Sequence, residues 1–185
     1  MSLSDLPNII SIFRIILVAP VVYLVLQQEY STALLLFVIA GVSDGVDGFL
    51  AKHFHWQSRL GSILDPIADK LLIVSTYAAV TWMGLIPLWL WLVVLLRDII
   101  IVVGGLAYHW MIGKFEMAPS LISKFNTVMQ IVLLMVVLGI PLVHPPQWLL
   151  DGLIWLTLIT VVLSGIDYIV VWGKKALLSM RKAKT

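Results

Sequence analysis

Asp44-Gly45-Val46-Asp47-Gly48-Phe49-Leu50-Ala51-Lys52, eight further residues, then Gly61-Ser62-Ile63-Leu64-Asp65-Pro66-Ile67-Ala68-Asp69. This stretch puts four aspartates at the junction of two apolar segments, in a chain that is 61% hydrophobic and only 12% charged. A charged side chain at mid-membrane costs about 2.5–3.5 kcal/mol on insertion scales, so such residues usually face a cavity and have a function. Asp44 and Asp47 are spaced i,i+3, and Asp65 and Asp69 i,i+4, so each pair shares one helix face. The linker between them is polar and basic and returns the chain to the same membrane side, where the two pairs can face each other. Four carboxylates packed together repel, and either protonation or intervening cations must relieve them. Hard divalent ions with oxygen ligands, Mg²⁺ or Mn²⁺, suit the task. Four carboxylates can serve two such ions, an arrangement fitted to phosphoryl chemistry. The competing reading is structural: pairing with Lys52, Arg59 and Lys70, or capping of helix ends. The small residues Gly45, Gly48, Ala51, Gly61 and Ala68 favour the first reading, because they leave the backbone open to a bulky ligand.

Outward from this stretch the chain is membrane-like throughout. Soluble domains are about 45–50% apolar, well below this one, whose mean hydropathy is +1.05. With no cysteine, disulfides, thiolate nucleophiles and Cys-based zinc sites are excluded. Crossing the hydrocarbon core takes about 20 mostly apolar residues, and six stretches qualify: Ile9–Leu26, Ser31–His53, Asp65–Ile86, Leu88–Trp110, Leu121–Val143 and Leu149–Val171. Turn chemistry separates them at Gln27–Tyr30, Gly84–Pro87, Gly113–Pro119 and Pro141–Pro146. The start, Met1–Pro7, lacks a basic n-region and a cleavage site, so the first apolar stretch reads as retained rather than as a signal peptide. The expected architecture is all-α: one polytopic membrane domain over 1–185, six transmembrane helices in a single bundle.

Lys and Arg set the orientation. They occur in the linker after the second span (Lys52, Arg59), around the linker after the fourth (Lys114, Lys124) and in the tail 173–185 (Lys174, Lys175, Arg181, Lys182, Lys184). The other three linkers contain none. Both termini and the acidic boundary are therefore expected on the cytoplasmic side. Trp82, Trp89, Trp110, Trp148 and Trp172 fall near span ends, as an aromatic belt would. The tail is first a topology signal and secondarily a site for anionic headgroups.

The quoted segment resembles the signature of the CDP-alcohol phosphatidyltransferases, D-x2-D-G-x2-A-R-x8-G-x3-D-x3-D, matching seven of eight fixed positions over 26 residues. The departure is Lys52 where that family has Arg, which keeps the charge and loses the bidentate fork. Leu6-Pro7-Asn8-Ile9 with Arg14, and Ser123-Lys124-Phe125-Asn126-Thr127, extend the likeness along the chain. The resemblance implies two metal ions held by Asp44, Asp47, Asp65 and Asp69, binding the diphosphate of CDP-diacylglycerol. It implies Asp69 as the base on the acceptor hydroxyl, with Gly48, Ala51, Lys52 and Gly61 lining the CDP pocket. It also implies a bacterial inner-membrane enzyme with its active site on the cytoplasmic side, a homodimer, and no nucleic-acid partner.

Arg97, Lys124 and Asn126 lie where the resembling family approaches its acceptor, and are the expected acceptor ligands. An internal Arg97–Asp98 pair is the alternative for Arg97. Two acceptors compete, phosphatidylglycerol and glycerol 3-phosphate. The glycerol 3-phosphate enzymes usually show Arg-Glu in span four and Gly-Lys-x-Lys-Thr in span five; here these read Arg97-Asp98 and Ser123-Lys124-Phe125-Asn126-Thr127. Asn126 removes a cation that a dianionic acceptor would want, which favours the monoanionic lipid. The size and pattern of the chain favour the phosphate acceptor. Arg14 either snorkels to the interface or touches substrate; Asn8 is either a pocket residue or an N-cap. His53 and His55 read as interfacial, and His109 and His144 have no evident partners. Asp167 could meet a buried cation or close the bundle. Gly104-Gly105 and Gly139 read as close-packing positions. An ion or proton transporter would spread its acidic groups across the membrane depth instead of gathering four at one boundary. A membrane scaffold would not need the four-aspartate spacing.

Overall fold

A computed structural model describes the backbone of residues 6–54, 61–112 and 120–182, and their side chains apart from 6–7, 47, 49–53, 62–63, 106–112 and 172–182. The described residues form seven helices and no strand: α1 (Leu6–Leu26), α2 (Tyr30–His53), α3 (Gly61–Trp82), α4 (Leu88–Ile112), α5 (Leu121–Leu138), α6 (Ile140–Val143) and α7 (Gln147–Lys182). The all-α expectation holds. Among the described residues four helices are long and apolar enough to cross a membrane: α1, α4, α5 and α7. In α2 the described apolar run covers Tyr30–Val46 and includes Asp44. At 1.5 Å rise per residue the 21 residues of α1 reach about 32 Å, the thickness of a hydrocarbon core.

Three boundaries differ from the sequence reading. Helix α3 starts at Gly61 and ends at Trp82, where a span over Asp65–Ile86 was expected. Pro66 lies inside it, removing one backbone donor but not stopping the helix. The expected span Leu121–Val143 is broken: Gly139 ends α5 and caps the short α6, which His144 closes with left-handed φ +46°. A Cβ at Gly139 would come within 2.9 Å of the Met135 carbonyl in the turn it ends, while Leu34 of α2 would lie at an ordinary 3.7 Å; the glycine therefore answers a local backbone constraint at the break rather than the close helix packing expected of it. Beyond Val171, α7 continues as helix to Lys182, through most of the basic tail.

The chain divides into two compact units. The first comprises Met1–Ile86 with Leu134–Pro146, the second Pro87–Leu133 with Gln147–Thr185. In the first, α1 packs against both α2 and α3. Its buried residues Ser11, Arg14, Leu17, Val18, Val21 and Val25 recur at helical spacing along one face. Opposite them stand small and apolar side chains, Ala33, Phe37 and Ala40 of α2 and Ala68, Leu72 and Val80 of α3, which let helices approach closely. In the second unit α4 packs on α7, with Trp89 and Trp155 stacked obliquely at 5.9 Å. Among its described residues a seam of buried polar side chains, Arg97, Asp98, Ser123, Asn126, Gln130, Thr157, Thr160 and Ser164, interrupts the apolar interior. Large apolar side chains such as Ile16, Leu35, Leu96, Val103 and Ile159 face outward, as lipid-facing surfaces do.

Candidate active site

In the first unit the stripe of α1 turns polar over its opening turns, and that polar end meets the carboxylates. Ser11 donates a short hydrogen bond to Asp65 Oδ1. Arg14, one turn on, donates from Nη1 to Asp69 Oδ1 at 2.5 Å and pairs with Asp44 Oδ1 at 2.6 Å through the same nitrogen. Arg14 is fully buried, whereas the Asp44 and Asp69 side chains are 39% and 43% exposed. One helix thus draws together acidic groups from two others. The sequence reading brought the two aspartate pairs face to face, and Asp44, Asp65 and Asp69 are gathered on α1. It left Arg14 open between interface and substrate; Arg14 is buried rather than snorkelled to an interface, and it is a counter-cation to Asp44 and Asp69. Ser11 was missed. The signal for it was its i,i+3 spacing from Arg14 on the face that continues as Leu17, Val21 and Val25. Asn8 lies within α1, which begins at Leu6, so it does not cap that helix.

The donor set suits a hard divalent cation, since it consists of carboxylate oxygens on the open side of a cluster. Asp44 and Asp69 converge on one cationic nitrogen, which shows that their oxygens can share a cation. Among the described side chains no group of three closes around a metal; the Asp47 side chain lies outside them, on the turn after Asp44. A Cβ at Gly45 or Gly48 would meet nothing within 4 Å, so the backbone here is open to a ligand, as expected. Gly61 and Ala68 are buried instead. Ala68 faces the packed interior because it falls on the α3 face next to α1, which corrects its reading as an open position. The side chains of Ala51, Lys52, His53, His55 and His109 lie outside the described residues.

The expected acceptor residues belong to the second unit. Arg97 is buried and donates to Asp98 at 2.8 Å, to Ser123 at 2.7 Å and to Ser164 at 2.5 Å. Its guanidinium also lies over the Tyr168 ring, 5.7 Å from the centroid. The Arg97–Asp98 pair raised by the sequence is present, within a wider network that sequence reasoning did not find. Asn126 is fully buried, and its Oδ1 accepts from Thr160 at 3.1 Å. Its Nδ2 has no hydrogen-bond partner among the described residues. Lys124 is exposed. Asp167 is half-buried and has no ion pair among the described residues.

An all-helical chain with four membrane-length apolar helices, and with carboxylates of α2 and α3 gathered on α1, defines a polytopic membrane protein with an acidic polar site. The sequence profile of the CDP-alcohol phosphatidyltransferases matches residues 4–166, and the chain belongs to that family. It is 31% identical over 180 residues to a cardiolipin synthase (CMP-forming) of Rattus norvegicus, covering 88% of this chain and 60% of the rat protein. A cardiolipin synthase (CMP-forming) of Streptomyces coelicolor is 41% identical over 112 residues, covering 56% of this chain and 52% of that protein. A CDP-diacylglycerol–glycerol-3-phosphate 3-phosphatidyltransferase of Aquifex aeolicus is 32% identical over 170 residues, covering 89% of this chain and 93% of that protein. The chain thus spans about 60% of the rat relative's length but nearly the whole of the Aquifex one.

Proposed function

We propose that this chain is a single-domain membrane enzyme that transfers the phosphatidyl group of CDP-diacylglycerol to a glycerol-type alcohol and releases CMP. The observation that carries the reading is the gathering of Asp44, Asp65 and Asp69 around the polar end of α1, in a chain of this family. Asp44, Asp47, Asp65 and Asp69 hold two divalent ions, Mg²⁺ or Mn²⁺. When bound, the ions neutralise charge on the diphosphate and on the departing CMP. Gly48, Ala51, Lys52 and Gly61 bind the CDP moiety, the open backbone at Gly48 allowing close approach. Asp69 is the base that takes the proton of the acceptor hydroxyl. The acceptor oxygen bonds to the phosphorus that carries the diacylglycerol, the bond from that phosphorus to CMP breaks, and CMP leaves with the electron pair. The protein's share is position and electrostatics, as in other phosphoryl transfers.

Phosphatidylglycerol is the favoured acceptor, giving cardiolipin. Among the described side chains of the second unit, the Arg97 charge is compensated by Asp98 and Asn126 is neutral, which leaves Lys124 as the exposed cation there for a phosphate dianion. The second reading, glycerol 3-phosphate giving phosphatidylglycerophosphate, draws on the Aquifex relative that the chain matches nearly end to end. Six membrane spans, both termini and the active site on the cytoplasmic side of a bacterial inner membrane, and a homodimer complete the proposal. The test is CMP release by the purified protein in detergent with Mg²⁺ and CDP-diacylglycerol. Release only with phosphatidylglycerol supports the first acceptor, and release only with glycerol 3-phosphate the second. Release with neither acceptor refutes the transferase reading.

A further inference from the structure

We propose that Ser11 and Arg14 are positioning residues that fix the carboxylate cluster from its buried side and turn its remaining oxygens toward divalent cations. The inference rests on the reading that Asp44, Asp47, Asp65 and Asp69 hold such ions. It begins with a geometric regularity. Each of the three carboxylates with a described side chain is held through one oxygen, Oδ1, and every one of these contacts comes from α1. Arg14 is fully buried while Asp44 and Asp69 are each about two-fifths exposed. The guanidinium therefore stands behind the carboxylates, and their second oxygens, which make no hydrogen bond to a described residue, are left for the open side.

A purely structural arginine would need one acidic partner to offset its burial. Arg14 instead bridges two, from different helices, through a single nitrogen. Ser11, one turn earlier on the same face, supplies the third carboxylate with a neutral donor and adds no charge to balance. The pair thus defines the directions of three side chains that come from α2 and α3, and these helices pack far less with each other than either does with α1. Without α1 the half-exposed aspartates would rotate freely. Ligands held by hydrogen bonds from behind bind metal more tightly, and loss of such an outer partner typically costs about 10–100-fold in metal affinity.

The test measures Mn²⁺ binding by the intact protein in detergent, from the electron paramagnetic resonance signal of free Mn²⁺, with no lipid substrate present. Ser11→Ala and Arg14→Lys both preserve net charge, so a change in affinity reports on orientation. Each is expected to weaken Mn²⁺ binding by about 10–100-fold, with Ser11→Ala at the lower end. Val21→Ala alters the same buried face of α1 away from the carboxylates; it should lower the melting temperature and leave Mn²⁺ affinity unchanged. Unchanged affinity in Ser11→Ala and Arg14→Lys overturns the proposal. Tighter binding in Arg14→Lys also overturns it, because Arg14 would then be a cation competing for the same oxygens. If the unaltered protein binds no Mn²⁺, the metal reading falls and this inference with it. If it binds Mn²⁺ and both variants bind equally well, the inference alone falls.

Discussion

Replacing Asp98 by Ala tests whether the buried seam of the second unit is a coupled network or a set of independent contacts. The Arg97 and Asp98 side chains are only 6% and 11% exposed, so solvent screens their attraction little. Removing one member of a buried pair leaves an uncompensated charge and typically costs about 3–5 kcal/mol. Ser123 and Ser164 still accept from the guanidinium in the variant, and hydrogen bonds to a charged group are each worth about 1.5–3 kcal/mol. They satisfy donors without restoring a counter-charge, so the low end, about 3 kcal/mol, is expected. Replacing both members with apolar groups should be far milder, since a buried ion pair and a well-packed apolar pair are often close in stability. Arg97→Met combined with Asp98→Ala should therefore be more stable than Asp98→Ala alone, with a coupling energy of about 2 kcal/mol, inside the range seen for contacting residues. The assay is reversible denaturation in mixed detergent and dodecyl sulfate, followed by circular dichroism, over the four members of the cycle. Additivity within about 0.5 kcal/mol, the behaviour of distant sites, would refute the coupling.

Asp69→Asn should lower CMP release by about 10²–10⁴-fold, the usual contribution of a positioned base, with the helical spectrum unchanged; substantial retained turnover removes Asp69 from that role. Gly48→Ala should separate stability from binding. A methyl there meets no described atom within 4 Å, and replacing a mid-helix glycine by alanine gains about 0.5–1 kcal/mol. The variant should melt higher while the KM for CDP-diacylglycerol rises, and an unchanged KM would place the CDP moiety elsewhere. Lys52→Arg should keep or improve CDP-lipid binding, because the planar fork can grip a phosphate through two bonds; a large loss of affinity would mean that the pocket is built around the lysine.

What the sequence could and could not disclose follows from the range over which each signal acts. Helices α1, α2 and α4 were legible because apolar length is a local property, and the two aspartate pairs because i,i+3 and i,i+4 spacing fixes a shared face. Helix α3 already includes Gly61–Leu64, ahead of the span expected from Asp65, because helix formation needs only permissive backbone and does not depend on where the membrane begins. The break at Gly139 was hidden for the opposite reason. Its neighbours Leu138 and Ile140 are apolar, so the run continues while the helix does not.

The candidate site divides along the same line. Asp44, Asp65 and Asp69 could be named from spacing, but the groups that hold them are 54 and 55 residues away for Ser11–Asp65 and Arg14–Asp69, and no local pattern encodes such a contact. A serine in an apolar helix looks like a tolerated small residue, and an arginine one turn from a helix start looks like an interfacial anchor. Both become interpretable only when their face is followed to Leu17, Val21 and Val25 and seen to be the buried one. A polar residue that falls in register with a buried apolar stripe of a membrane helix cannot be solvated by lipid or water, so it must have a partner on whatever the stripe packs against. Applied to α7, the same rule picks out Thr157, Thr160 and Ser164, in register with Val161; Thr160 bonds to Asn126 and Ser164 to Arg97, whereas the Thr157 hydroxyl has no partner among the described residues and marks where the rule fails. Register with the buried stripe thus identifies polar side chains that spacing within a motif leaves unseen.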